Sequence, residues 1–272
     1  MSQMFVTVSQ HIGDDVELKK AIRTAQTYAG PLVDVKAWGQ RKLRQVRHAP
    51  SDSCYRAFEK LPISAGQQFL DIGANRGQTI DSLRLYHKSA AVVAFEPNPV
   101  LAARLSKRYE NDPNVTIHAF GLGDENGFFE LFVPYYRGFM FDGLASFDYD
   151  SAHGWLNARR IYGFDEKHLK IERQRCEIRR WDEVGTTPDL IKIDVQGFEA
   201  TVLRGGLETI RKDRPIFLLE NNKEPTHEEI LFAEDYRRAA YADGKITLDQ
   251  IGKKNTFYLP QEKVESVKVR FG

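Results

Sequence analysis

The chain has 272 residues, 42% of them apolar, enough to bury one large core or one core with an appendage. A formal net charge of +1 gives no general pull toward polyanions, so no nucleic-acid partner is expected. Two cysteines, Cys54 and Cys176, are too few for a disulfide framework and lack metal-type spacing; with no stretch long and apolar enough to span a bilayer and no leader-like start, the expectation is a cytoplasmic protein.

Residues 1–60 read as an N-terminal helical extension, and 61–272 as the catalytic domain. Asp14–Ala29 and Val35–Arg47 have helix-compatible composition, with Gly30 and Pro31 expected to interrupt them. The basic run Arg41, Lys42, Arg44 and Arg47 reads as a solvated helix face. Tyr55–Leu61 is a short helix leading to the apolar run Phe69, Leu70 and Ile72, too brief for a helix and therefore a buried strand. Gly73 and Gly77 bracket the tight turn that follows, and Gln78–Tyr86 has the spacing of an amphipathic helix.

Strand, glycine turn and helix make a nucleotide-type cradle, because glycine accepts positive φ and bares the backbone while the first helical turn offers free N–H groups. A pyrophosphate site would show GxGxxG spacing or a Walker lysine, and neither occurs here. Asp71 at the strand tip would repel a phosphate but suits the ammonium and sulfonium of S-adenosylmethionine, which is the expected cofactor. A second strand, Ala91–Phe95, ends in Glu96, placed to accept hydrogen bonds from ribose hydroxyls. The expected cofactor-binding set is Asp71, Gly73, Asn75, Gly77, Gln78, Thr79, Glu96, Pro97 and Asn98, with Phe120 and Gly121 laid along the adenine.

Further on, Pro97–Tyr109 reads as a helix, Val115–Ala119 as a third strand and Phe128–Val133 as another. Tyr135–Gln174 is rich in aromatics and glycine and is assigned to substrate recognition. Cys176–Ile178 is a candidate edge strand and Leu190–Val195 a buried one. Phe198–Arg211 reads as one helix, Pro215–Leu219 as a strand, Thr226–Tyr241 as the last helix, and Lys245–Leu248 with Thr256–Leu259 as a closing hairpin.

Asp194 and Glu220 fall at the tips of two of these strands and are the candidate catalytic residues, since a carboxylate at a strand end can take the proton of an alcohol acceptor. Asn221 adds a third oxygen donor, which leaves a magnesium-assisted variant open, although no metal site is assigned.

The stretches DIGANRGQT, AFEPNP and LIKIDVQGFEATVLRGG resemble the FkbM family of S-adenosylmethionine-dependent methyltransferases, over about Phe69 to Pro260. One departure is Gln196, where the family commonly shows an acid before the glycine. The resemblance implies a class I methyltransferase-like Rossmann fold, with a mostly parallel seven-stranded sheet and a C-terminal antiparallel hairpin. It also implies O-methylation of a hydroxyl on a small-molecule or glycan acceptor: a sugar, glycolipid or secondary metabolite. Two alternatives stay open from the residues, a nicotinamide-dependent oxidoreductase or epimerase and a non-catalytic S-adenosylmethionine-binding module.

Overall fold

Short apolar runs cut by glycine, proline and aspartate give short strands, and the longer amphipathic stretches between them give helices. The computed structural model describes residues 17–28, 30–64, 66–222 and 226–272. In chain order they form α1 (17–28), α2 (Gly30–Arg47), β1 (Gln68–Ile72), α3 (Gln78–Leu83), β2 (Ala91–Phe95), α4 (Pro99–Arg108), β3 (Val115–His118), β4 (Gly121–Gly123), β5 (Gly127–Tyr136), β6 (Phe139–Met140), α5 (Tyr149–Gly154), β7 (Leu169–Arg180), β8 (Pro188–Ile193), α6 (Glu199–Gly205), α7 (Leu207–Asp213), β9 (Ile216–Glu220), α8 (Thr226–Ala233), β10 (Tyr236–Ala242), β11 (Lys245–Leu248), β12 (Asn255–Pro260) and α9 (Val264–Phe271). A short 3-10 turn, Ser53–Glu59, precedes β1.

The chain divides into two compact units, Leu43–Phe129 with Arg175–Gly272, and Met1–Lys42 with Glu130–Gln174. The larger holds an eight-stranded sheet in the order β11-β10-β12-β9-β8-β1-β2-β3. β3, β2, β1, β8 and β9 run parallel, while β12 is antiparallel to both β9 and β10, and β11 is antiparallel to β10.

The sheet is thus larger and more mixed than the seven-stranded, mostly parallel sheet expected from the sequence. The expected closing hairpin does not form: β11 pairs with β10, and β12 inserts between β9 and β10. The segment expected as one helix to Tyr241 ends at Ala233, and Asp235 takes φ +61° to turn the chain into β10. Its arginines and alanines favour a helix locally, but a strand hydrogen-bonded on both sides, burying Tyr236 and Ala239, outweighs that preference.

Two further boundaries differ. Pro31 sits in the first turn of α2, where its missing N–H costs nothing, so Gly30 and Pro31 belong to that helix. Of the expected Asp14–Ala29 helix, residues 14–16 and 29 lie outside the described residues. The expected helix Phe198–Arg211 is two helices that meet at Gly206, where a Cβ would overlap the buried indole of Trp181.

Alternation along the strands sends neighbouring side chains to opposite faces. Phe69, Leu190 and Leu218 join Phe58, Ile80, Leu105 and Phe271 on one face, whereas Leu70, Ile191 and Phe217 join Trp181, Val202, Leu203 and Leu231 on the other. The result is a three-layer α/β/α arrangement. Cys54 and Cys176 are both free and buried, and burial raises both thiols, that of Cys176 to about 12.

In the smaller unit, β5 and β6 join through Arg137 and Gly138, with φ of +51° and +79° as a two-residue hairpin turn requires. Its core gathers Tyr136, Phe141, Leu156 and Ile161, with Tyr136 stacked on Phe164 at 5.2 Å between ring centroids.

Helix α6 lies so close to β4 that a Cβ at Gly205 would overlap the carbonyl of Gly123. Gly205→Ala should therefore cost about 2 to 3 kcal/mol, the upper range for overpacking against backbone. Urea unfolding should show a lower midpoint at an unchanged slope; an unmoved midpoint would disprove the close contact.

Candidate functional site

The parallel register brings the carboxyl ends of β1, β2, β8 and β9 level with one another. Asp71 is paired with Ala94 on one side and Lys192 on the other, and Lys192 with Leu218. Beyond the last paired residues the chain crosses tightly: the N–H of Asp194 donates to the Ile72 carbonyl at 3.0 Å, and a Cβ at Gly73 would overlap the carbonyl of Asp194. Gly73 also has φ +83°, so its lack of a side chain is required twice. Asn75 and Gly77 follow with φ of +47° and +76°. A Cβ at Gly77 would lie 2.9 Å from both Leu105 and the Tyr109 hydroxyl.

Glu96, just past β2, holds the turn from the side. Its Oε2 accepts from the Asn75 N–H at 2.7 Å and its Oε1 from the Asn98 N–H at 2.9 Å. Asn98 caps α4 with its Oδ1, which accepts from the N–H groups of Val100 and Leu101.

Several buried polar atoms around this turn have no hydrogen-bond partner among the described residues: both oxygens of Asp71, Oδ1 of Asn75 and Nδ2 of Asn98. Asp71 is 0% exposed and Asn98 1%. Native interiors satisfy nearly all such groups, so a cluster of orphans beside an open turn fits a polar ligand that completes them. A carboxylate, an amide oxygen and an amide nitrogen match the ammonium, hydroxyl and ring-nitrogen groups of a nucleoside-linked amino acid. Burial pushes Asp71 up to about 7, against the pull of Lys192 and with the push of Asp194 and Glu96.

Beside the turn lies a second acidic group. Lys192, 1% exposed, places its Nζ 3.7 Å from Asp194 Oδ2 and donates to the Ile193 carbonyl at 2.8 Å. Gln196, held at φ +53°, donates its amide to Asp194 Oδ1 at 3.1 Å and to Glu220 Oε2 at 3.2 Å, so one NH₂ bridges both carboxyls. The loop itself is anchored by buried Glu199, which accepts from the N–H groups of Val195 and Gly197 and from Asn222 Nδ2 at 2.6 Å.

The two acids separate in character. Burial works against an ionised Asp194, but the Lys192 ammonium and hydrogen bonds from Glu220 and Gln196 prevail and hold it below the usual carboxylate range. Burial and then the charge of Asp194 push Glu220 up to about 7. Near neutrality Asp194 is an ionised acceptor and Glu220 a carboxyl poised to carry a proton.

The remaining sequence candidates fall as follows. Gln78 and Thr79 open α3; Thr79 is buried, with its hydroxyl 3.5 Å from that of Tyr55. Pro97 is near Gly121, where a Cβ would meet its ring at 3.4 Å. Gly121 lies in β4, paired with Ile178, and Phe120 is buried with its ring 5.5 Å from that of Phe95. Asn221 is used elsewhere: its amide donates to the Gly252 carbonyl at 2.6 Å and accepts from Thr256 Oγ1 at 2.7 Å. The magnesium set of Asp194, Glu220 and Asn221 is therefore not assembled, and no group of three or more His, Cys, Asp or Glu side chains suited to a metal ion occurs among the described residues.

Sequence reasoning missed Lys192 and Tyr55. The signal for Lys192 was present, since a lysine inside LIKI, flanked by residues that must be buried, has to be buried and paired as well. Nothing local marks Tyr55, whose place against Thr79 depends on the fold.

Because folding raises the proton affinity of Glu220 from 4.5, and of Asp71 from 3.8, to about 7, the folded chain binds more protons than the unfolded one across that window. Stability should therefore fall as pH rises from about 4.5 to 7. Asp194, held low, titrates below this window. Urea unfolding at pH 5 and pH 7.5 should show a smaller loss in Glu220→Gln than in the wild type, and an equal loss would contradict the raised value.

The Methyltransferase FkbM domain matches residues 71–241. AMB antimetabolite synthetase AmbE of Pseudomonas aeruginosa is 35% identical over 165 residues, covering 50% of this chain and 7% of that protein. The 2-O-methyltransferase NoeI of Sinorhizobium fredii is 28% identical over 157 residues, 57% of this chain and 63% of NoeI. The chain thus spans less than two thirds of either relative. A crystal structure of Methyltransferase FkbM from Methylobacillus flagellatus aligns with a TM-score of 0.46 at 15% identity, covering 85% of this chain and 60% of that one. With the domain match running from the buried acid of β1 through the sheet to β10, this chain belongs to the FkbM methyltransferase family.

Proposed function

We propose that the protein is an S-adenosylmethionine-dependent O-methyltransferase acting on a hydroxyl of a sugar, glycolipid or secondary metabolite. The observation that carries this reading is the orphaned, fully buried carboxylate of Asp71 beside the Gly73–Gly77 turn, with Glu96 opposite. When bound, S-adenosylmethionine supplies an electrophilic methyl on sulfonium. Asp71 offers a carboxylate to its cationic part, Glu96 a carboxylate toward the ribose hydroxyls, and the bare backbone of Gly73 to Gly77 the close approach. Asn75, Gln78, Thr79, Pro97, Asn98, Phe120 and Gly121 complete the proposed cofactor set.

Transfer to a hydroxyl needs alignment and removal of one proton. Asp194, kept ionised by Lys192 and Gln196, accepts that proton, and Glu220 is the competing base. NoeI, named a 2-O-methyltransferase, supports a hydroxyl acceptor by family analogy. The aromatic stretch Tyr135–Gln174 is assigned to acceptor choice. Among the described residues no helix is long and apolar enough to cross a membrane.

Calorimetry with Glu96→Gln tests the cofactor assignment. Losing a charged acceptor should weaken S-adenosylmethionine by about tenfold to a hundredfold, the equivalent of about 1.5 to 3 kcal/mol. An unchanged affinity removes Glu96 from the site.

Asp194→Asn keeps the shape of the residue but not its basicity, and loss of a general base lowers turnover about a hundredfold to ten-thousandfold. Cofactor affinity should be unchanged. Normal turnover in Asp194→Asn beside lost turnover in Glu220→Gln would exchange the two roles.

A further inference from the structure

Within the larger unit, the segment ahead of β1 brings a second buried hydroxyl to the start of α3. The Ser51 N–H donates to Ser82 Oγ at 3.0 Å and the Ser51 hydroxyl to the Gln78 carbonyl at 3.3 Å, which pins the segment along that helix. Asp52 accepts from the Cys54 N–H at 3.0 Å and opens the 3-10 turn, while Asn255 of β12 donates to Cys54 Sγ at 3.4 Å. Tyr55 follows directly. It is 7% exposed, and its ring stacks on Phe58 with 5.1 Å between centroids and 11° between planes. Held through its backbone and along its ring, the phenol has little freedom to place its hydroxyl elsewhere.

That hydroxyl lies 3.5 Å from Thr79 Oγ1, and Thr79 is buried too. A good O–H···O bond is about 2.7–2.8 Å long, so the two hydroxyls hold each other weakly and each can turn its proton to a third group. Burial keeps the Tyr55 proton in place well above the usual phenol range; the weak bond to Thr79 opposes this, and the charges of Asp71 and Asp194 reinforce it. Near neutrality Tyr55 is a neutral donor within the field of both acids. The buried carboxylate of Asp71 suits an ammonium, and in an amino acid the ammonium shares its carbon with a carboxylate. A site that buries one of these charges must give hydrogen bonds to the other, because an ionised group buried without partners is costly. Two hydroxyls at the start of α3 supply such donors.

We propose that the Tyr55 hydroxyl, together with that of Thr79, binds the carboxylate at the amino-acid end of the cofactor. The inference rests on the S-adenosylmethionine reading and deepens it. Asp71 takes the ammonium, Glu96 faces the ribose, and Tyr55, contributed by the chain before the glycine turn, makes the site selective for an intact amino acid.

The test is calorimetry on the full chain at pH 8, on the ionised side of Asp71. The probes are S-adenosylmethionine and decarboxylated S-adenosylmethionine, which keeps the sulfonium and the ammonium but has no carboxylate. The wild type should bind the intact compound more tightly by about tenfold or more, as expected for hydrogen bonds to a charged group. Tyr55→Phe keeps the ring and its stack; it should weaken S-adenosylmethionine by about tenfold or more and leave the decarboxylated compound within about twofold of the wild type. Thr79→Val should reduce the preference in the same direction, and Thr79→Ser, which restores a hydroxyl, should recover it. Equal losses for both compounds in Tyr55→Phe would make the tyrosine a support of the turn and overturn the proposal. An unchanged preference in both Tyr55→Phe and Thr79→Val overturns it as well. A wild type that binds the two compounds equally overturns the carboxylate contact and leaves the cofactor reading standing, whereas one that binds neither overturns both.

Discussion

A single ammonium, Lys192 Nζ, makes it possible for acids at three strand ends to sit together at one end of the sheet. Asp71 is its register partner on β1, Asp194 its ion-pair partner two residues on, and Glu220 ends the neighbouring strand. Isolated buried carboxylates shed their charge by taking up protons, and the pattern here shows how one cation divides that tendency among three. Asp194, in direct contact with the lysine, stays ionised, while Asp71 and Glu220 rise to about 7. The site thereby holds one ionised carboxylate and two groups that change state close to neutrality.

Gln196 gives this arrangement a local character. An acid at that position would bring a third negative charge to Asp194 and Glu220, whereas the amide donates to both. The left-handed backbone at Gln196, followed by Gly197 at φ +100° and tied by Glu199, aims the amide back at the strand ends. The amide at this position is therefore chemically coherent: a donor bridges two acceptors of which one is charged.

Much of the geometry of the glycine turn was legible because it is local. A strand, two glycines and a helix start within ten residues leave few alternatives, and Gly73 and Gly77 do take positive φ where the motif requires it. Asp194 and Glu220 were legible as strand ends for the same reason. What failed was non-local. YRRAAYA reads as helix on propensity, and only the presence of β11 and β12 on its two sides makes it β10. The break at Gly206 depends on a tryptophan 25 positions earlier in the chain, and the role of Tyr55 on a hydroxyl contributed by α3. Lys192 differs, since its pattern was visible and its burial followed from its neighbours.

The wedged position of β12 bears on how the sheet is assembled. β10 and β11 are made before β12, yet neither has a partner on the parallel part of the sheet until β12 arrives, because β12 supplies both the outer edge of β9 and the inner edge of β10. During synthesis the β10–β11 hairpin must wait as a detached ribbon, and isolated two-stranded ribbons have little stability of their own. A chain interrupted before Asn255 would expose the edge of β9, buried and apolar through Phe217, Leu218 and Leu219, to pairing with other chains. Completion of the sheet and protection from aggregation are thus the same late event, and it rests on six residues.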